Sequence, residues 1–290
     1  MEKYLLENPD SFNLEHIFEC GQCFRWNKID ENTYIGVIKE AVIKVTKDKN
    51  RYIFTGKSDS GNFEDIINYY FDLATNYSIY KEKLSKIDKF MSESIKFGEG
   101  IRILRQDLWE TIISFIISAN NNIPRIKKII ERLSKEYGKE VEFEGKKYYK
   151  FPTPEELADV SAEELRKLGL GFRDERIVNT THMILMNQVN LDELKKMNNT
   201  EIMREELLKL DGVGPKVADC ILLFSLKRFD VFPIDVWVRR VMNDLYIHNE
   251  VEEKVSKRQL QELAEDKFGR MSGLAQQYLF YWKREESKEA

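Results

Sequence analysis

The chain reads as α+β, an antiparallel sheet at the N-terminal end packed on a mostly helical remainder, and three features predict it. Between residues 12 and 56, apolar and polar residues alternate in the runs FRWNKI, TYIGVI, AVIKVT and RYIFTG, separated by DEN, KE and DKN. That is the period of strands with one buried face. From residue 62 onward the period lengthens to that of helices. Helix starts then recur: Asp107-Leu-Trp-Glu110 and Ser161-Ala-Glu-Glu164 fit the capping box, and Thr153-Pro154 puts a cap ahead of a proline at the first helical position.

Length and punctuation divide this array. At 290 residues the chain exceeds the usual single domain, and the change of period suggests an N-terminal unit of sheet and trailing helices over 1–100 and a helical core over 101–290. In EFEGKKYYKFP, Gly145 lies between aromatic and β-prone residues and predicts a short hairpin. Gly169 and Gly171 in LGLGFRDERIV end one helix before another begins near Asp174, leaving Phe172 and Arg173 in the loop. The charged tail KREESKEA is expected to fray.

Composition narrows the function classes. A hydrophobic fraction of 42% beside 33% charged residues is that of a globular protein, and no apolar run approaches the ~20 residues needed to span a bilayer. The start MEKYLLENPD has neither the basic nor the apolar region of a secretory signal. A cytoplasmic protein without a membrane partner is the expectation. Cys20 and Cys23 form a C-x-x-C, yet Cys220 is distant and His16, His182 and His248 are scattered, so no metal site and no cofactor is expected. Three cysteines cannot supply a four-cysteine iron–sulfur cluster. The net charge of −4 is unhelpful to nucleic-acid binding, but Arg125, Lys127, Lys128, Arg132 and Lys135 form a locally basic segment interrupted by Glu131.

The stretch that carries chemistry is LLKLDGVGPKVADCILLFSLKRFDVFPIDVWVRRV, residues 207–241, within a helix–turn–helix motif over about 203–228. Gly212 and Gly214 permit a turn whose amides, with that of Val213, point outward together and approach a phosphate closely. Pro215 pre-sets the following helix, whose positive end adds to the anion site. Such a turn binds a sugar-phosphate backbone without reading bases. Lys216 sits in the first turn of that helix. Lowering a lysine from ~10.4 to ~7 needs on the order of 5 kcal/mol of burial and field effects. Spacing alone leaves Lys216 open between a charged phosphate contact and a nucleophile. Asp235, placed before VWVRRV, reads as a helix N-cap that stays ionised. A fixed carboxylate facing a lysine-bearing helix also suits cleavage of an N-glycosidic bond, where positive charge develops on the sugar.

At this point the sequence resembles a known family. LDGVGPKVADC followed by FPIDVWVRR resembles the helix-hairpin-helix (HhH-GPD) DNA glycosylases, and more narrowly the 8-oxoguanine DNA glycosylase/lyase branch of eukaryotic type. The branch's other motifs appear in order: Gly21-Gln22-Cys23-Phe24-Arg25-Trp26, Asn120-Asn121-Asn122-Ile123-Pro124-Arg125, and the LGLG-aromatic-R loop at 168–173. The resemblance implies an antiparallel sheet domain packed on an HhH-GPD core of two helical subdomains, a base pocket between them, duplex DNA containing oxidised guanine as partner, and a monomer as the default state.

It also implies roles. Lys216 would attack the sugar C1′ and form a Schiff base, with Asp235 stabilising the transition state and helping to generate the nucleophile; elimination of the 3′ phosphate follows. The Gly21 carbonyl would meet the N7 hydrogen that oxidised guanine has and guanine lacks, Cys220 and Phe280 would sandwich the base, and Gln276 would bond its Watson–Crick edge. Asn120 would fill the hole left by the everted nucleotide, Phe172 would wedge beside the opposite base, and Arg125 and Arg173 would recognise an opposite cytosine. Trp237 stands where animal relatives carry histidine, and Phe224 where they carry methionine, which puts details of the pocket wall and a phosphate contact in doubt. A monofunctional alkylpurine glycosylase shares the aspartate but not Lys216. A thymine-glycol glycosylase/lyase usually carries four clustered C-terminal cysteines and no N-terminal sheet, and a non-catalytic hairpin module would not need Asp235.

Overall fold

The fold was obtained as a computed structural model that describes residues 1–59, 61–251 and 254–289. A five-stranded antiparallel sheet in the order β1-β5-β4-β3-β2 is built from β1 (Glu2–Glu7), β2 (Trp26–Asp30), β3 (Thr33–Ile38), β4 (Ala41–Asp48) and β5 (Arg51–Ser58). The four alternating runs of the sequence are β2 to β5. The expectation for 12–56 needs two corrections. The edge strand β1 precedes it, and its largely exposed side chains leave little apolar alternation to detect. Residues Leu14–Phe18 form a one-turn helix, α1, rather than a strand. Asn13 caps it by accepting from the amides of Glu15 and His16, and Leu14, Ile17 and Phe18 bury one face at helical spacing.

Both faces of the sheet are covered. On one, Phe18, Trp26, Tyr34, Phe54 and Phe71 form an aromatic core, with the Phe18 and Trp26 rings stacked at 4.1 Å. Phe63, Ile67 and Tyr70 of α2 (Phe63–Tyr70) join it. The other face carries Ile35, Val37 and Val42, and these are roofed by the expected hairpin, β6 (Glu140–Phe143) and β7 (Lys146–Tyr149), through Val141, Phe143 and Tyr148. Glu144 and Gly145 turn that hairpin with positive φ at both positions (50° and 71°), the handedness that matches strand twist. Lys150 pairs with Glu40 and, at 2.9 Å, with Asp59, so the helical core reaches back to strap the sheet.

The rest is helical: α3 (Tyr77–Ser85), α4 (Lys89–Phe97), α5 (Leu108–Ser118), α6 (Ile123–Tyr137), α7 (Ala162–Lys167), α8 (Asp174–Leu185), α9 (Leu191–Lys196), α10 (Thr200–Leu208), α11 (Pro215–Phe224), α12 (Val236–Met242), α13 (Lys257–Phe268) and α14 (Ser272–Glu289). Helices α5, α8, α10 and α11 pack in one group with α6 and α7. In the other, α14 packs on α4, α12 and α13. One continuous apolar core spans both groups. The Ser161 capping box forms in full. That at Asp107 is half made: the Asp107 carboxylate accepts from the Glu110 amide at 3.0 Å, but the Glu110 side chain turns to Arg25 instead, 3.6 Å away. The tail expected to fray continues α14 as helix to Glu289, supported by ion pairs one turn apart such as Lys283–Glu286.

Glu110 gives a pH prediction. Desolvation pushes its carboxyl up to about 7, opposed by the Arg25 guanidinium and reinforced by the Asp107 charge. The folded state thus holds this proton more tightly than the unfolded chain. The stability it contributes is present below the ordinary glutamate range and is lost as pH rises through about 7. Glu110→Gln should flatten the fall of Tm between about pH 5 and 8; an unchanged Tm profile would exclude this account.

Candidate active site

The hairpin forms as the sequence requires. Gly212 has φ of 82°, and a Cβ there would stand 3.0 Å from the Arg176 side chain and 3.2 Å from Ile116. Gly214 is the N-cap of α11 and offers no side-chain cap, with nothing within 4 Å of where a Cβ would sit. The first amides of α11 therefore face open space, as an anion site needs. Val213 turns inward and is buried, which anchors the turn.

Six residues expected to act on the base line one cavity of about 50 Å³: Gly21 from the sheet domain, Lys216 and Cys220 from α11, Asp235 from the cap of α12, and Gln276 and Phe280 from α14. The site thus sits where both helical groups meet the loop that follows α1. Asp235 is the N-cap expected of it, accepting from the Val238 amide at 2.8 Å. The nearer carboxylate in sequence, Asp219, is unavailable because it is buried against Arg204 at 2.7 Å. Lys216 is half-buried, its Nζ 5.4 Å from the centre of the Phe115 ring. The Cys220 thiol is pushed up to about 11 by burial, opposed by the Lys216 charge and reinforced by Asp219 and Asp235, so it stays a neutral wall at ordinary pH.

Two features mark the cavity as a place for a hydrogen-bonding ligand. The Gln276 Oε1 is buried without any partner, a state that protein interiors seldom tolerate unless something else completes it. Gly21 adopts φ of 87°, and a Cβ on it would approach the Phe280 ring to 3.3 Å, so any other residue would crowd the wall. The cavity's free space of about 50 Å³ has room for a few waters. The half-buried Phe280 ring lies against Gly21 and forms one wall of the cavity.

A second cluster lies around the turn after α5. Asn120 is exposed with φ of 50°, and Phe172 stands 55% exposed, the only large aromatic besides Tyr69 that is more than half exposed among the described residues. Arg125 is exposed, its Nη2 3.4 Å from the Gly169 carbonyl. Arg173 differs. It is buried beneath Phe172, its guanidinium 4.3 Å from that ring, and donates to the carbonyls of Ala119 (2.9 Å), Leu170 (3.1 Å) and Asn120 (2.8 Å). Trp237 is half-buried near Arg240, and its Nε1 has no hydrogen-bond partner. Among the described residues no group of three histidine, cysteine or carboxylate side chains is placed to hold a metal ion.

Sequence reasoning missed Cys20, Phe115, Pro233 and Gln277, which also line the cavity. Phe115 lies in a helix buried along nearly its whole length, where no pattern separates pocket wall from core. Gln277 had a signal, a second glutamine beside Gln276 in an otherwise apolar stretch.

Residues 4–112 match the family model for the 8-oxoguanine DNA glycosylase N-terminal domain, and 113–266 match that of the HhH-GPD superfamily base excision DNA repair proteins. An N-glycosylase/DNA lyase of Saccharomyces cerevisiae is 33% identical over 258 residues, 81% of this chain and 68% of its own. An Arabidopsis thaliana N-glycosylase/DNA lyase is 31% identical over 278 residues, 91% of this chain and 75% of its own. The 8-oxoguanine glycosylase/lyase of Clostridium acetobutylicum, solved with double-stranded DNA containing cytosine opposite 8-oxoguanine, superposes with a TM-score of 0.92 at 41% identity over 99% of this chain and 98% of that one. With both domains matched in order, the chain belongs to the 8-oxoguanine DNA glycosylase family of the HhH-GPD superfamily.

Proposed function

We infer that this protein excises 8-oxoguanine from duplex DNA and then cleaves the strand at the resulting abasic site. The observation that carries this is the meeting of Lys216 and Asp235, from different helices, at one cavity whose buried Gln276 oxygen lacks a partner. Eversion of the lesion brings its C1′ to Lys216; the amine bonds to that carbon as the bond to the base nitrogen breaks, and the base takes the electron pair. Asp235 offsets the positive charge that develops on the sugar. The aminal so formed passes the proton lost by its nitrogen to the departed base and opens as its C1′–O4′ bond breaks, O4′ taking up a proton, to give a protonated Schiff base. This makes the C2′ hydrogen acidic, and its loss as a proton expels the 3′ phosphate. Cys220 and Phe280 enclose the base, and the Gly21 carbonyl accepts from its N7 hydrogen. With undamaged guanine that carbonyl would face a lone pair, a mismatch that discriminates strongly in a closed site. The base-binding side chains and the phosphate-binding amides of 212–214 supply affinity for DNA despite a net charge of −4.

At the opposite strand, Asn120 fills the vacated stack and Phe172 wedges beside the orphaned base. Arg125, facing outward, is the residue that reads an opposite cytosine, while Arg173 ties the asparagine turn to its own loop by donating to the Ala119, Asn120 and Leu170 carbonyls. Trp237 lies at the start of α12, beside the position for a DNA phosphate. The enzyme acts as a monomer and without an iron–sulfur cluster, for whose four ligands its three cysteines are too few.

The test is incubation with duplexes carrying 8-oxoguanine opposite each of the four bases, with and without borohydride. Excision, strand cleavage and a trapped protein–DNA adduct are expected; the absence of all three would end the reading. Arg125→Ala should reduce the preference for opposite cytosine by roughly ten-fold with little change in overall excision. Equal ratios across the four bases before and after substitution would remove Arg125 from this role.

A further inference from the structure

The loop that carries Gly21 is held by glutamine side chains on both sides. Gln277 of α14, 2% exposed, donates from Nε2 to the Cys20 carbonyl at 2.6 Å. Gln106 donates from Nε2 to the Gln22 carbonyl at 2.7 Å. Gln22 itself is fully buried, donating to the carbonyls of Ile17 and Arg102 at 2.8 Å each and accepting from the Leu104 amide at 2.9 Å. The Cys20–Gly21 and Gln22–Cys23 peptides are therefore held, whereas among the described residues no donor bonds the Gly21 carbonyl, which belongs to the peptide between them.

Glycine is the residue least able to hold its own dihedrals, because nothing but the chain on either side restrains it. At φ of 87° its carbonyl direction follows from how firmly Cys20 and Gln22 are held. We propose that Gln277 is a positioning residue for base discrimination: its amide fixes the Cys20 carbonyl, and through that peptide aims the Gly21 carbonyl at the base. Adjacent residues of α14 thus divide the work, Gln276 presenting an unpartnered oxygen to the cavity and Gln277 aligning the acceptor opposite. This rests on the excision reading given above.

The experiment separates base excision from strand cleavage. Gln277→Met keeps the length of the side chain but has no donor, and Gln277→Glu places a carboxyl against the Cys20 carbonyl. A pre-formed abasic site has no base for Gly21 to meet, so its cleavage does not use the carbonyl. Single-turnover excision of 8-oxoguanine by the methionine variant should fall on the order of ten- to a hundred-fold, with cleavage of abasic-site DNA within about two-fold of wild type. The glutamate variant should be the poorer at pH 8 and recover relative to wild type toward pH 6, because the protonated carboxyl regains a donor and burial raises its pKa. Gln106→Met, which frees the peptide on the other side, should give the same split even if Gln277 variants fold poorly.

Equal loss of excision and abasic-site cleavage with a lowered Tm, or excision within about two-fold of wild type in both methionine variants, would overturn the proposal. A wild-type protein inactive on both substrates would instead overturn the excision reading on which it rests.

Discussion

Lys216→Gln is expected to abolish the borohydride-trapped complex on 8-oxoguanine DNA and to lower base excision by on the order of a thousand-fold or more, while lesion binding persists. Glutamine approximates the volume of the lysine stem but offers no amine to bond C1′, so the covalent route closes while the pocket remains. The half-buried position of Lys216 beside Phe115 argues that the substitution leaves packing intact. Gel-shift affinity for lesion DNA and the yield of trapped adduct are the two measurements. Retained trapping would mean that another amine is the nucleophile, and a lysine that only contacted phosphate would instead lose binding in a salt-dependent way with chemistry preserved.

Asp235→Asn is expected to slow base release by on the order of a hundred- to a thousand-fold with binding and fold retained. Asparagine caps helices about as well as aspartate, so the bond to the Val238 amide survives and only the charge is removed. Asp235→Ala removes both, and should add a loss of about 1 kcal/mol in stability to the catalytic defect. Comparing the two by denaturant unfolding and single-turnover excision separates cap from chemistry. Undiminished excision by the asparagine variant would show that the carboxylate is only a cap.

Much of the fold is legible in the residues themselves. The strands β2 to β5 show through their β-prone runs and the turns between them, although β3, covered on both faces, is buried at every position, and the hairpin at 140–149 announces itself through Glu144-Gly145. What escapes detection does so for physical reasons. The edge strand β1 buries too little to pattern its side chains, and α1 is a single turn whose spacing is short enough to pass for alternation. The charged tail remains helical because pairs such as Lys283–Glu286 replace the burial that ordinarily stabilises a helix end. Arg173 carries the same loop motif whether it points outward or inward, and only the three carbonyls beneath Phe172 decide which.

By itself the sequence determined the hairpin, the cap at Asp235 and the family, because glycine conformations, capping and motif order are local properties written within a few residues. Only the tertiary structure decided that Asp235 rather than Asp219 shares the cavity with Lys216, that Phe280 walls that cavity against Gly21, and that Gln277 grips the peptide before Gly21. Those facts depend on side chains up to 257 positions apart being brought within hydrogen-bond reach, and such contacts are fixed by how helices pack, which no local pattern encodes.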